Sequence, residues 1–235
     1  MPEFVIDRKF RGPTESANGG YTCGVLASFM HGPAEVTLRL PPPLERPLEV
    51  VTDGALELRD GEQLVAEAAP TELDLDIPDA ISFEAAAAAE LPDGDRESAF
   101  PDCFVCGWKR EDGLRIYAGP VEGRELVSAT WIPREDAISS EFVWAALDCP
   151  GAYAVEFGQR GDPVLGRLSA RVEHLPHPGE RCVVIGWPLG EEGRKLYAGT
   201  ALFGEDGRLL GSARATWIVP LGLTVPPGPG GQVLR

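Results

Sequence analysis

The feature that most constrains this chain is an apolar stretch at residues 139–155, which carries one carboxylate and one proline in its interior. Its apolar side chains are too numerous for a helix with one face in water, so the stretch predicts a mostly buried helix. Pro150 has no backbone N–H and clashes with the carbonyl group of Ala146. The helix should therefore kink or break around Cys149.

Asp148 lies at this predicted break. A carboxylate is costly to remove from water unless other groups compensate for the lost hydration, so a buried one needs an explanation. One explanation is structural, with Asp148 capping or solvating the kink. The other is functional, because buried carboxylates with shifted pKa values are concentrated at active sites. The residues alone leave both explanations open.

Composition excludes several classes of partner. The 235 residues carry a formal net charge of −16, whereas nucleic acids and anionic membrane surfaces attract clustered lysine and arginine. The sequence has no run of about 18 apolar residues that could span a membrane. Its N-terminal residues lack the basic region and apolar core of a signal peptide. We therefore expect a cytoplasmic protein whose five cysteines are reduced thiols.

Two of these cysteines, Cys103 and Cys106, have the two-residue spacing of a zinc knuckle. A structural zinc site usually needs four ligands, and the sequence has no second pair with this spacing. His174 and His177 could complete a site, but both fall in a predicted strand and turn. A single pair of this kind is weak evidence. The sequence therefore favours a metal-free protein with a structural turn at this position.

Two pairs of segments indicate an internal duplication. Leu40–Arg46 matches Leu175–Arg181 at five of seven positions, and Ala55–Gly61 matches Ala201–Gly207 at four of seven, with the Asp-Gly turns aligned. In both halves a turn and then a hairpin follow a buried helix, which favours a repeat. The alternative is two unrelated antiparallel units that share turn chemistry.

The predicted organisation follows from this duplication. We expect an N-terminal unit at residues 1–70 and a C-terminal unit at residues 101–220. Residues 71–100 form a linker whose alanine run is a good helix former. Residues 221–235, rich in proline and glycine, form a loose tail.

A mostly buried central helix with an acidic residue about two turns in, followed by long strands, resembles the hotdog-fold thioesterase superfamily. Residues 100–107 (FPDCFVCG) and 144–151 (WAALDCPG) also resemble an actinobacterial-type branch of it. The resemblance implies an α+β double hotdog, in which two antiparallel sheets each wrap around one central helix. The two helices are expected near residues 16–30 and 140–157.

The resemblance also implies a site between the two helices. Backbone N–H groups at the start of the first helix, at Asn18, Gly19 and Gly20, would bind a developing oxyanion, and glycine lets a ligand approach the backbone closely. Asp148 would act as general base or as nucleophile, and the sequence does not choose between these roles. The local alternative is that the glycines only turn the chain into the helix.

The two helices can be aligned by their position in the repeated order of elements, without residue identity. This alignment pairs Gly20 with Ser140 and Ser28 with Asp148. The first helix then keeps the glycines and lacks the acid, while the second keeps the acid and lacks the glycines. Only one of the two possible sites is complete. This asymmetry is expected after a duplication.

The implied function is hydrolysis of an acyl-CoA thioester, with no cofactor and a small-molecule acyl thioester as partner. Alternatives are a non-catalytic acyl-CoA-binding or regulatory protein on the same scaffold and, ranked lowest, a hydratase. A homo-oligomer of double-hotdog chains is left open. Four cations are candidates for binding the CoA phosphates, although each could equally be an ordinary strand-edge or turn charge: Arg167, Arg171, Arg194 and Lys195.

Overall fold

The structure is a computed structural model that describes residues 2–92, 100–155 and 161–220. The N-terminal half contributes β1 (Glu3–Val5), α1 (Gly19–Ala27), β2 (Ala34–Leu38), β3 (Pro47–Val51), β4 (Leu56–Asp60) and β5 (Gln63–Pro70). The linker holds α2 (Phe83–Ala89). The C-terminal half contributes β6 (Gly119–Pro120), β7 (Val127–Trp131), α3 (Ser140–Ala146), α4 (Cys149–Ala154), β8 (Val164–Val172), β9 (Cys182–Glu192), β10 (Lys195–Phe203) and β11 (Leu209–Ile218).

All strands belong to one antiparallel sheet, in the order β1-β3-β4-β5-β2-β8-β11-β10-β9-β7-β6. The prediction of two separate sheets is wrong, because β2 and β8 pair directly, with Ala34 opposite Ala170 and Thr37 opposite Arg167. This pairing joins one edge of each half, so that β1 and β6 become the two edges of the sheet. One apolar core then extends across both halves on the face that carries α1 and α3.

The two halves have the same topology. Each has four strands after its helix, and the strand directly before the helix is β1 in one half and β7 in the other, where the two-residue β6 precedes β7. In each half the first strand after the helix pairs with the fourth, the fourth with the third, and the third with the second. The two predicted Asp-Gly hairpins join β4 to β5 and β10 to β11. This common order agrees with the predicted duplication.

The predicted break in the second helix is confirmed. Helix α3 ends at Ala146, and a separate helix, α4, begins at Cys149 with Pro150 in its first turn. Proline is tolerated there because the first N–H groups of a helix have no partner inside it. The first helix is shorter than the predicted 16–30 range, because Asn18 is the residue that caps it. Residues 156–157 of the second predicted range lie outside the described residues.

The linker covers the outer face of the C-terminal half of the sheet. Ala86 of α2 is buried there in a second apolar cluster, with Val183, Ile185 and Trp187 of β9. Val184 of the same strand faces the main core. Both faces of β9 are therefore covered over residues 182–187, and the sequence of this part is a continuous apolar run that does not alternate.

The composition of residues 114–118 favours a strand, but these residues do not form one. Leu114 N–H donates to the Phe104 carbonyl at 2.8 Å, and Ile116 N–H donates to the Val105 carbonyl at 3.0 Å. This extended segment therefore supports the loop around Cys103 and does not join the sheet. The predicted tail at 221–235 lies outside the described residues. No helix in the described ranges is both long enough and apolar enough to cross a membrane.

Candidate active site between two helices

Helices α1 and α3 pack closely because α1 presents glycine at the contact. A Cβ atom on Gly20 would lie 2.5 Å from Asp148 Cβ and 2.8 Å from the Trp144 carbonyl oxygen. One turn later, a Cβ atom on Gly24 would lie 2.7 Å from Glu141 Cα. Both distances are far shorter than carbon–carbon contact, at about 3.5–4.0 Å. The glycines therefore let the start of α1 reach the end of α3.

Asp148 is the centre of this contact and is only 2% exposed. Its Oδ2 atom accepts two hydrogen bonds from α1, one from Asn18 Nδ2 at 2.8 Å and one from the Gly20 backbone N–H at 3.0 Å. Its Oδ1 atom is buried and has no hydrogen-bond partner among the described residues. Such atoms are rare in folded proteins and point to a role beyond packing. Three of the four residues proposed from the sequence for one site are thus in direct contact, namely Asn18, Gly20 and Asp148.

The helix break explains how Asp148 enters this position. Its N–H donates to the Ala145 carbonyl at 3.1 Å, which is a tighter turn than that of an α-helix. The Leu147 carbonyl loses its helical partner, and the Thr200 hydroxyl on β10 donates to it at 2.8 Å. The interruption is therefore hydrogen-bonded without help from the Asp148 side chain. The purely structural interpretation of Asp148, as the group that caps the kink, has no hydrogen bond to support it.

Burial raises the pKa of Asp148 to about 7, because a charged carboxylate is disfavoured away from water. The hydrogen bonds from Gly20 and Asn18 oppose this shift, since they stabilise the charged form, and the negative charge of Cys103 adds to it. A carboxyl group in this environment can exchange a proton near neutral pH.

Asn18 holds the two helices in register. It is the N-cap of α1, and its Oδ1 atom accepts the Tyr21 N–H at 2.8 Å. This leaves its Nδ2 group to donate to Asp148 and, at 3.8 Å, to the sulfur of Cys103. One amide therefore joins the helix start, the carboxylate and a cysteine.

The residue that sequence analysis missed is Cys149. Its sulfur lies 3.8 Å from Cys103 Sγ, and the sulfur atoms of Cys103, Cys106 and Cys149 all lie within 4.8 Å of one another. All three thiols are buried and free. The sequence feature that could have indicated a role for Cys149 is its position directly after Asp148. His174 and His177, proposed as partners of the cysteine pair, do not join this cluster.

Four aromatic rings cover the contact on one side. Phe10 stacks on Tyr21 of α1 with 3.9 Å between ring centroids, and Phe104 and Phe142 pack edge-on against this pair. Because Phe104 follows Cys103, the cluster fixes the cysteine loop against both helices. Aromatic packing of this kind stabilises a site and excludes water from it.

The second predicted half-site is different. Ser28, aligned with Asp148, is exposed at the end of α1, and its hydroxyl donates to the Val25 carbonyl. Gly19, the remaining residue of the predicted oxyanion turn, is the first residue of α1, where a Cβ atom would meet Leu165 at 2.9 Å. The only complete combination among the aligned positions is the one around Asp148.

The four candidate CoA-binding cations do not lie together at Asp148. Arg167 and Arg171 alternate along β8 with buried residues of the main core, which places them on the sheet face away from the helices. Arg167 pairs with Glu35 at 3.2 Å, and Arg171 pairs with Glu173 at 3.6 Å. Arg194 donates to a backbone carbonyl beside the β9–β10 turn, and Lys195 begins β10. Their role in binding CoA stays a prediction.

Solved structures share this fold over nearly the whole chain. A proposed thioesterase from Novosphingobium aromaticivorans DSM 12444 superposes with a TM-score of 0.59 at 13% identity, over 93% of this chain and 94% of that one. A hotdog-fold protein from Alicyclobacillus acidocaldarius gives 0.58 at 12% identity, over 93% and 92%. A tesB protein from Mycobacterium avium subsp. paratuberculosis gives 0.54 at 14% identity, over 87% of each chain.

No family model matches the chain, and no curated protein matches it in sequence. The structural similarity therefore speaks for the fold. The chain has the hotdog fold, and its predicted resemblance to the hotdog-fold thioesterases is confirmed at that level.

Proposed function

We propose that this protein is a double hotdog that hydrolyses an acyl thioester at the contact between α1 and α3. The observation that supports the proposal is the hydrogen bonding of the buried Asp148 carboxylate. One of its oxygens is held by two donors from the other half of the chain, and the second is buried with no hydrogen-bond partner in the described part of the chain. A group placed only for packing would not be held in this way.

Hydrolysis needs a place for the negative charge that develops on the thioester carbonyl oxygen. The N–H groups at the start of α1 can supply it, since they point out of the helix and carry partial positive charge. A carbonyl oxygen that shares the Gly20 N–H with Asp148 Oδ2 would bring its carbonyl carbon beside the carboxylate. Because Gly20 has no side chain, Asp148 lies close enough to accept this N–H.

Asp148 Oδ1 is the atom that performs the chemical step in this proposal. As a general base it takes a proton from water, the water oxygen bonds to the carbonyl carbon, the C–S bond breaks and the thiolate leaves. As a nucleophile it bonds to the carbonyl carbon itself and expels the thiolate, and water then hydrolyses the mixed anhydride. Hydrolysis in ¹⁸O-labelled water under single-turnover conditions separates the two routes, because only the second can put the label into Asp148.

The second candidate function is a non-catalytic acyl-CoA-binding or regulatory protein. The observation in its favour is the depth of the site, since Asp148 is almost completely buried and four aromatic rings cover it. A binding protein needs the donors of α1 and the apolar surroundings, but it does not need the charge of Asp148.

The test is thiol release from a panel of acyl-CoAs of different chain length, with the parent protein and Asp148→Asn. Asparagine can keep both hydrogen bonds from α1 and removes only the basic oxygen. We expect turnover to fall about 10²-fold or more, while the free energy of unfolding changes by about 1 kcal/mol or less. Ser28→Ala, at the aligned position of the incomplete half-site, should keep the parent rate.

Two results would end this proposal. One is an Asp148→Asn protein that hydrolyses the parent's substrate at the parent rate. The other is a parent protein that binds acyl-CoAs from the panel and releases no thiol from any of them, which would leave the binding protein as the function.

A further inference from the structure

The three clustered thiols have the composition and geometry of a metal site. Cys103 and Cys106 come from the loop after the linker, while Cys149 comes from the first turn of α4. All three are buried, and their sulfur atoms lie within 4.8 Å of one another. Thiolates are soft ligands, and a tetrahedral set of sulfurs is typical of zinc.

The distances agree with one shared ion. Two thiolates bound to zinc at about 2.3 Å, with a tetrahedral angle between them, are separated by about 3.8 Å. The distance between Cys103 Sγ and Cys149 Sγ is 3.8 Å. No disulfide joins any pair of these three cysteines.

The loop that carries the cysteine pair is a tight turn. The Gly107 N–H closes the turn on the Cys103 carbonyl at 2.8 Å, and a Cβ atom on Gly107 would lie 2.6 Å from the Cys103 nitrogen. Only glycine therefore fits. The turn therefore holds the sulfur atoms of Cys103 and Cys106 close together.

We propose that Cys103, Cys106 and Cys149 bind one Zn²⁺ ion per chain. Among the described residues no fourth histidine, cysteine or carboxylate joins the cluster, so one coordination position is left for an exogenous ligand such as water. The ion would tie the loop after the linker to α4, and Asn18 would lie between it and Asp148. This inference replaces the expectation of a metal-free protein, which rested on the lack of a second cysteine pair.

The first test is metal content. Protein expressed with added zinc and purified with reductant and without chelator should contain about one zinc per chain by plasma mass spectrometry, since bound thiolates hold zinc tightly at neutral pH. Cys103→Ser, Cys106→Ser and Cys149→Ser should each lose stoichiometric zinc. Cys182→Ser is the matched control, because Cys182 is equally buried but lies on β9 outside the cluster.

The second test uses the unaltered chain, so it does not depend on the variants folding. After removal of the zinc, Co²⁺ should give a thiolate-to-metal absorption in the near ultraviolet and the visible bands of a tetrahedral ion. Parent protein without metal that takes up no Co²⁺ under reducing conditions would overturn the inference. Full zinc content in Cys149→Ser would overturn it as well. Both readouts measure metal alone, so they stand whether or not the protein hydrolyses thioesters.

Discussion

Replacing Gly20 with alanine tests the close contact between α1 and α3. The new Cβ atom would lie 2.5 Å from Asp148 Cβ and 2.8 Å from the Trp144 carbonyl oxygen. Carbon atoms in contact lie about 3.5–4.0 Å apart, so the two helices must separate locally by about 1 Å. The second obstacle is backbone, and a side-chain rotation of Trp144 cannot remove it.

The magnitude follows from two opposing terms. Overpacking a well-packed contact costs about 1–3 kcal/mol, and a clash with backbone belongs at the upper end of that range. Alanine is favoured over glycine inside a helix by up to about 1 kcal/mol. We therefore expect Gly20→Ala to lower the free energy of unfolding by about 2 kcal/mol. A displacement of about 1 Å at a reacting group costs about 10²-fold in rate, so turnover should fall by a similar factor.

Gly24→Ala is the matched control for this substitution. Its Cβ atom would lie 2.7 Å from Glu141 Cα and 2.8 Å from Trp144 Cβ, so the steric conflict with α3 is similar. It lies one turn away from Asp148. Urea unfolding should show a similar loss of about 2 kcal/mol for both variants, whereas thiol release should be strongly reduced only in Gly20→Ala. A Gly20→Ala protein with the parent's stability and rate would refute both the contact and its role.

Two further predictions concern the helix break and the attachment of the linker to the sheet. Thr200→Val removes the hydroxyl that donates to the Leu147 carbonyl and should lower the free energy of unfolding by about 1–3 kcal/mol, the cost of a buried acceptor without a partner; an unchanged urea midpoint would show that the helix break needs no such support. Glu90→Ala removes the carboxylate that accepts from the N–H and hydroxyl of Thr130 and should cost about 1 kcal/mol. Glu90→Gln keeps an acceptor oxygen and should recover most of this loss, and equal losses in both variants would contradict the hydrogen-bond explanation.

The centre of the site was predictable because its elements have strong local signals. Proline inside a helix removes a hydrogen bond and clashes with the carbonyl four residues earlier, so an interruption near Asp148 follows from Pro150. Asparagine is a preferred N-cap residue, so Asn18 is a typical helix start. The two glycines that follow it allow another segment to approach the backbone closely. The contact between them was inferred from the family resemblance, and the structure places Asn18 Nδ2 at 2.8 Å from Asp148 Oδ2.

The errors arose where a segment's hydrogen bonds go to distant residues. Residues 114–118 have strand-like composition, but their N–H groups bind the loop at Phe104 and Val105. The helix in the linker follows from its alanine run, but the burial of its Ala86 against β9 does not. Local propensity carries no information about either partner.

The sequence by itself determined the helix break, the Asp-Gly hairpins, the order of the repeated elements and the carboxylate on which the proposed chemistry depends. These features follow from the conformational limits of proline and glycine and from the spacing of apolar residues, which act over a few positions. Only the tertiary structure decided that β2 and β8 join two halves into one sheet. Only the tertiary structure brought Cys149 to the Cys103–Cys106 loop. Cys149 is 46 residues from Cys103 in the sequence. The physical reason is that both results depend on contacts between residues far apart in the sequence. Such contacts form when apolar side chains are buried together and when backbone N–H and C=O groups find partners in a distant segment.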